Sequence, residues 1–301
     1  MATRIGRASA AGMASDPVAA GMRAAFHAVR EGRQPAGLMG PVPCKAKVFW
    51  GAVMEIVLPE LVSVELAAHG YIEPSLTSVV LQNVRAGMVA FDIGAHFGYF
   101  SLLMSELTGP CGMVHAFEPS TETHQILRRN VVNATNVRTV HAAVHSRSGR
   151  LTFRDLGVRH AAFNSFYEPR LPEAEGAPAE STYEVDTISI DDYVRSTGVR
   201  PDFVKIDAES SEYQIVAGME ETLRSARPVF TLEVGDFDTP SVATSRELVD
   251  FACGFDYEPF CCQAGVLMGH RKLERYEYDN LLFIPREQAN SMKHGRLAVI
   301  R

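Results

Sequence analysis

Cysteine is scarce in this sequence, and what there is does not pair. Cys44, Cys111, Cys253, Cys261 and Cys262 make five, an odd number, and no two stand in a Cys-x-x-Cys spacing. That speaks against a disulfide framework and against a thiolate zinc site, so the thiols are expected reduced and buried. Long apolar runs are missing as well: nothing approaches the ~18–20 consecutive apolar residues that cross a bilayer. The segment Met1 to Gln34 is rich in Ala, Gly, Ser and Arg and has no continuous apolar stretch of the kind a secretory signal carries. A cytoplasmic protein without a membrane partner is expected. Cationic residues are in deficit, with 29 Lys and Arg against 36 Asp and Glu, a net charge of −7. Phosphate backbones are bound by basic faces, so no nucleic-acid partner is expected.

What is present is ordinary globular material: 301 residues, 46% hydrophobic and 22% charged, enough for a sizeable core. Residues 1–20 read as disordered or loosely helical, and Met22, Phe26 and Val29 suggest a short helix over 21–31. Residues 35–43 hold three prolines and two glycines and read as a linker. Residues 45–58 predict two short strands around Gly51. From about residue 75, short apolar runs alternate with amphipathic stretches. Strands are predicted at Val89–Ile93, Met113–Phe117, Val137–Val144, 150–155, 183–188, Asp202–Asp207, Val229–Val234 and Asn280–Ile284. Helices are predicted at 97–107, 121–133, Ser189–Arg195, 211–225 and 242–253, with a Pro/Ala/Glu-rich loop at 169–181. This alternation predicts a doubly wound, mainly parallel α/β sheet.

The first strand of that sheet runs into Asp92-Ile-Gly94-Ala-His-Phe-Gly98-Tyr-Phe-Ser101 and then a helix. Glycines in such a turn let a ligand approach the backbone, and the helix start offers free N–H groups. Dinucleotide turns read Gly-x-Gly-x-x-Gly; this one reads Asp-x-Gly-x-x-x-Gly. The carboxylate at the strand end repels a pyrophosphate and suits a ligand with an ammonium and a sulfonium, such as S-adenosylmethionine. The second strand ends in Phe117-Glu118-Pro119, twenty residues after Gly98. A carboxylate there can accept both ribose hydroxyls and disfavours a 2′-phosphate.

The succession of blocks resembles the FkbM-type S-adenosylmethionine-dependent methyltransferases over roughly residues 68–285. The blocks are Gly70-Tyr-Ile-Glu73-Pro74, Val89 to Ser101, and Ala116-Phe-Glu118-Pro119 with Leu127 and Asn130. Ala143 to Phe153 follows, then Val185 to Val234 with Asp191, Lys205-Ile-Asp207-Ala-Glu209, Gly218 and Glu233. Ser210 stands where the family usually has glycine, and His145-Ser146-Arg147 departs from its usual Ser-Asp turn.

The resemblance implies the seven-stranded, Rossmann-like methyltransferase sheet over 66–301. Residues 1–65, largely outside the resemblance, read as a partly disordered N-terminal extension of helix and short strands, a lid or a dimerisation element. Asp92 would lie near the methionine ammonium. Gly94, Ala95, His96 and Gly98 would line the methionine and ribose through backbone groups, with Phe97, Tyr99 and Ser101 completing the cofactor turn. Glu118 and Pro119 would hold the ribose, Ala143 and Val144 would flank adenine, and Glu73 would meet the methionine end. Asp207 and Glu209 are the catalytic candidates: either takes a hydroxyl proton or holds a divalent cation, or else Asp207 caps the next helix and positions ligands. Glu233 is a weaker candidate, and no metal is specifically expected.

The expected activity is O-methylation of a small-molecule hydroxyl on a sugar, polyketide or other secondary metabolite, leaving S-adenosylhomocysteine. The alternatives are N-methylation, a nicotinamide oxidoreductase disfavoured by the missing Gly-x-Gly-x-x-Gly, and a binding module without turnover. His96 is expected to face the cleft. His145 and His160 fall near the acceptor loop, and the Phe163–Tyr167 aromatic patch either covers a ligand ring or packs.

Overall fold

The computed structural model describes residues 41–167, 181–236 and 240–294. The helix expected over 21–31, the loose segment 1–20, most of the 35–43 linker and nearly all of the 169–181 loop lie outside the described residues. The chain begins with an antiparallel hairpin, β1 (Val42–Lys47) and β2 (Val53–Leu58), followed by α1 (Leu61–His69) and α2 (Pro74–Asn83). Then come β3 (Val89–Ile93), α3 (Tyr99–Thr108), β4 (Met113–Phe117), α4 (Thr121–Asn130) and β5 (Val137–Val140). An insertion carries β6 (Ala143–Val144), β7 (Gly149–Asp155), a 3₁₀ turn at Val158–Phe163 and β8 (Ser181–Ile188). The second half holds α5 (Ile190–Thr197), β9 (Phe203–Ile206), α6 (Glu212–Ala217), α7 (Glu220–Ser225), β10 (Val229–Val234) and α8 (Ser245–Cys253). It closes with β11 (Tyr257–Gln263), β12 (Val266–Gly269), β13 (Asp279–Pro285) and α9 (Arg286–His294).

The main sheet has the order β12-β11-β13-β10-β9-β3-β4-β5. β5, β4, β3, β9 and β10 are parallel, and β13, β11 and β12 add antiparallel pairings at one end. This is the expected doubly wound α/β fold: seven strands from β5 to β11, with β12 as an eighth at the edge. From β3 the chain steps outward to β4 and β5, then returns to build β9 and β10 on the other side. That reversal opens a crevice at the carboxyl ends of β3 and β9, where open α/β sheets bind ligands.

Parallel strands are covered on both faces, so their side chains alternate between two cores. Ala90, Val114, Ala116 and Phe203 pack with α2 and α3 on one face. Phe91, Ile93, Phe117, Val204, Ile206 and Phe230 pack with α5 to α8 on the other. Each buried Val, Ile or Phe side chain among these contributes about 1.5–3 kcal/mol. Among the described residues no helix is long and apolar enough to cross a membrane.

Two expected elements are divided. Val137–Val144 is not one strand: β5 stops at Val140, and Ala143–Val144 pairs with Thr187–Ile188 in a separate sheet, β6-β8-β7. The 211–225 helix is two. A Cβ on Gly218 would overlap the His145 carbonyl oxygen, so only glycine fits where the helix passes the insertion. The helix restarts because Asp191 caps it, accepting from Glu221 N (2.9 Å), Thr222 N (2.8 Å) and Thr222 Oγ1 (2.7 Å).

The N-terminal hairpin is held to the end of α4 and to the turn after β3 by Asn130, beside an Arg129–Glu55 ion pair at 2.6 Å. Asn130 Oδ1 accepts from Glu55 N (2.6 Å), and Asn130 Nδ2 donates to Glu55 O (2.9 Å) and Phe97 O (2.8 Å). α1 runs across residue 65 and packs on β1 and β2. Asn130→Ala strands a donor and two carbonyls at a partly buried seam. It is expected to cost about 2–3 kcal/mol of unfolding free energy, read by urea denaturation; a loss below the error of that measurement would refute the clamp.

Candidate active site

The turn after β3 is shaped by what lies on either side of it. Gly94 has φ +73, and a Cβ there would overlap the Asp207 carbonyl oxygen of the neighbouring strand end. Its N–H and that of Ala95 donate to Phe117 O at 3.1 and 2.9 Å, tying the turn to the end of β4.

Beneath the turn lies a buried ion cluster. Alternation along β3 places Asp92 on the face opposite Phe91 and Ile93, and its cross-strand partner in β9 is Lys205. Lys205 Nζ donates to Gly94 O (2.9 Å) and stands 3.1 Å from Asp207 Oδ2 and 3.6 Å from Asp92 Oδ1. Ser101 Oγ donates to Asp92 Oδ2 at 2.6 Å. Burial alone would lower the Lys205 ammonium, but the charges of Asp207, Asp92 and Glu73 outweigh it and hold it above its ordinary value. Burial likewise opposes the charge on Asp207, yet Lys205 and a hydrogen bond shared with Glu233 keep its carboxyl below the usual range.

At the end of β4 the Glu118 carboxylate accepts from His96 N (2.9 Å) and Ser120 N (3.0 Å). Burial pushes its carboxyl up to about 7, against those two donors. The insertion braces this corner: Ser120 Oγ (3.0 Å) and Tyr183 Oη (2.5 Å) both donate to Asp155 Oδ2.

Above these groups opens a cavity of about 480 Å³. Ala143, Val144, Phe153, Phe163 and Phe166 form an apolar end next to Glu118 and Pro119. Gly94 and His96 form the floor, and Leu61, Val62 and Glu65 of α1 contribute a wall. Glu73, Asp207, Glu209, Glu233 and Tyr278 form an acidic end. In strand order, Glu118 follows β4, Gly94 follows β3, Asp207 follows β9, Glu233 lies in β10, and Tyr278 immediately precedes β13. At ~4.8 Å per strand, about 19 Å separates β4 from β13. Asp207, Glu209 and Glu233 bring carboxylate oxygens within 4.8 Å of one another, an oxygen set that a hard divalent cation can use. Lys205 already supplies the counter-charge of Asp207.

Of the residues singled out in the sequence, Glu73, Gly94, His96, Glu118, Pro119, Ala143, Val144, Asp207 and Glu209 line this cavity. Asp92, Ala95, Phe97, Gly98, Tyr99 and Ser101 do not. Asp92 is wholly buried under the turn, because its strand position points it at α3 instead of the crevice. Phe97 and Tyr99 are core side chains. His145 and His160 lie off the cavity lining, and His115 is a core histidine whose Nδ1 sits 2.7 Å from Tyr193 Oη. The His96 ring lies 3.6 Å from Glu60 Oε1, and burial, then the charge of Lys205, lowers it to about 3.

The sequence pattern assigns no role to Glu60, Lys205, Tyr278 or Asn280. Lys205 had a signal, a lone charge amid Phe203-Val204-Lys205-Ile206. Glu60 and the pair before and within β13 had none, since they reach the site only through the fold.

The methyltransferase FkbM domain model matches residues 92–258, from the end of β3 into β11. The chain belongs to the FkbM methyltransferase family. It is 29% identical over 161 residues to the 31-O-demethyl-FK506 methyltransferase FkbM of Streptomyces tacrolimicus, covering 46% of this chain and 62% of that one. It is 27% identical over 155 residues to the hexuronic acid methyltransferase AglP of Haloferax volcanii, covering 51% and 59%. The chain thus spans about three fifths of the length of these curated relatives. A solved FkbM methyltransferase from Methylobacillus flagellatus aligns at 16% identity with a TM-score of 0.41, over 65% of this chain and 43% of that one.

Two measurements test the electrostatics of this FkbM-family site. Lys205→Met leaves Asp92 buried without its cation and is expected to cost about 3–5 kcal/mol by urea unfolding. Adding Asp92→Asn should recover part of it; no recovery would argue against the pair. The fully buried Glu60 carboxyl is pushed from 4.5 up to about 7 by burial. A raised carboxyl binds its proton more tightly when folded. Its contribution to stability is therefore complete below about pH 4.5 and lost as pH rises through about 7. Glu60→Gln should flatten the fall of Tm across that window, and an unchanged pH slope would contradict the assignment.

Proposed function

We propose that this chain is an S-adenosylmethionine-dependent O-methyltransferase that acts on a hydroxyl of a small molecule, a sugar, polyketide or related secondary metabolite. The observation that carries the reading is the order of groups along one crevice: an apolar end, a hydrogen-bonded carboxylate, a glycine floor and an acidic end.

The residues fit the cofactor. Ala143, Val144, Phe153, Phe163 and Phe166 suit a flat base. Glu118, oriented by two backbone N–H groups, keeps lone pairs for two ribose hydroxyls and disfavours a phosphate. The Gly94 backbone admits close approach. The acidic end suits an ammonium and a sulfonium and repels the second phosphate-bearing half of a dinucleotide. When bound, S-adenosylmethionine supplies an electrophilic methyl group.

The chain's own contribution is to align the acceptor hydroxyl and exclude water. Asp207, held ionised by Lys205, orients that hydroxyl as a hydrogen-bond acceptor, with Glu209 beside it. The wall from α1 closes the side next to His96, a lid-like part for the N-terminal extension. The acceptor class draws support from the two relatives: one acts on 31-O-demethyl-FK506 and the other on a hexuronic acid.

Calorimetry with S-adenosylhomocysteine, and with NAD as control, tests this reading. Micromolar binding of the first and none of the second is expected; the reverse, or no binding, would sink it. Glu118→Gln should weaken the binding by about 1–3 kcal/mol. Methyl hexosides, methyl hexuronides and a hydroxylated macrolactone are then screened for methyl gain by mass spectrometry.

A further inference from the structure

We propose that Glu73 is the group that takes the proton from the acceptor hydroxyl, an assignment that rests on the methyltransferase reading above. Its placement is unusual for its position in the chain. Glu73 is the N-cap of α2, with Pro74 at the first helical position, where a short polar side chain normally folds back onto the helix's own N–H groups. Here no such bond is made, and the backbone sits at φ +40 in the left-handed region. The carboxylate turns into the cavity instead, and its Oε2 accepts from Asn280 Nδ2 at 3.0 Å, 207 residues further along the chain. Glu73 shares this backbone strain with two other cavity residues, His96 (φ +50) and Glu209 (φ +46). Strained non-glycine backbone concentrates where a fold holds side chains for function.

Two of the other acids that line the cavity are already engaged. Asp207 is ion-paired to Lys205 and shares a hydrogen bond with Glu233. Glu118 accepts from two backbone N–H groups at the nucleoside end. Facing Glu73 are Asp207 and Lys205 from β9, Tyr278 and Asn280 from β13 and its approach, and Tyr99 from α3. Burial, and then the charge of Asp207, push the Glu73 carboxyl up to about 7, while Lys205, Asn280 and Tyr278 pull it down. A general base works best with a proton affinity near the operating pH, and the ion-paired Asp207 lies well below that.

In the step, the acceptor's O–H bond breaks and its proton goes to a Glu73 oxygen. The oxygen's electron pair forms the new C–O bond. The pair of the breaking C–S bond stays on sulfur as a neutral thioether. The Glu73 proton then leaves to water, which restores the carboxylate.

Glu73→Gln keeps the size and the Asn280 contact and removes the basicity. Calorimetric binding of S-adenosylmethionine at neutral pH, in buffers of different ionisation heat, should show proton release by the wild type that the variant lacks. On a hydroxyl probe that the wild type methylates, kcat should fall about 10²–10⁴-fold, far more than S-adenosylhomocysteine affinity, since Asp207, Glu209 and Glu233 remain at the acidic end. Glu73→Asp should restore part of the rate. Equal proton release in both proteins, an unchanged kcat, or loss of S-adenosylhomocysteine binding in Glu73→Gln would overturn the assignment. Failure of the wild type to bind S-adenosylhomocysteine would instead overturn the methyltransferase reading itself.

Discussion

The site depends on one ammonium group buried between two strands. Lys205 stands where the chain reverses direction across the sheet, and a charge is costly there unless it is fully met. Asp92 meets it from β3, Asp207 from the end of its own strand and Gly94 through a carbonyl. This one contact set fixes the register of β9 against β3 and the shape of the glycine turn. It also decides which carboxyl at the acidic end stays ionised and, by that charge, which neighbour holds a proton more tightly. Fold and chemistry meet at a single nitrogen.

The insertion has a related role at the other end. Its small sheet leaves the main sheet at Val140 and returns at Ile188, and its Asp155 grips Ser120 beside the Glu118 carboxylate. The aromatic side chains it brings (Phe153, Phe163 and Phe166) form the apolar end of the cavity. The apolar end is thus lined in large part by aromatic side chains from outside the main sheet.

Much of this was legible in the residues, and the failures have physical causes. The parallel strands announce themselves as short apolar runs, and the Asp-x-Gly-x-x-x-Gly and Phe-Glu-Pro segments mark the ends of β3 and β4 that border the cavity. Asp92 shows the limit of a motif read without alternation. Between Phe91 and Ile93 it must face the opposite side of the sheet, so it anchors the turn from below. The break at Gly218 and the fork after Val140 were invisible because each is set by a contact far along the chain. α1 escaped notice because Leu61, Val62, Val64 and Leu66 are spread around it. It packs on the hairpin on one side and lines the cavity on the other. Tyr278 and Asn280 carry no local signature at all.

β13 runs against its neighbour β10. The parallel strands deliver their carboxyl ends to the crevice, but β13 delivers its beginning. Tyr278 therefore arrives at the end of the segment that leads in from β12, and Asn280 at the start of β13 itself, outside the crossovers that carry Glu118 and the turn after β3. Insertions or exchanges in that lead-in alter the acidic end without moving the turn after β3 or the Glu118 corner. The acidic end of the crevice thus takes Tyr278 from a loop that builds neither the Glu118 corner nor the turn after β3, so its lining can change there without disturbing the rest.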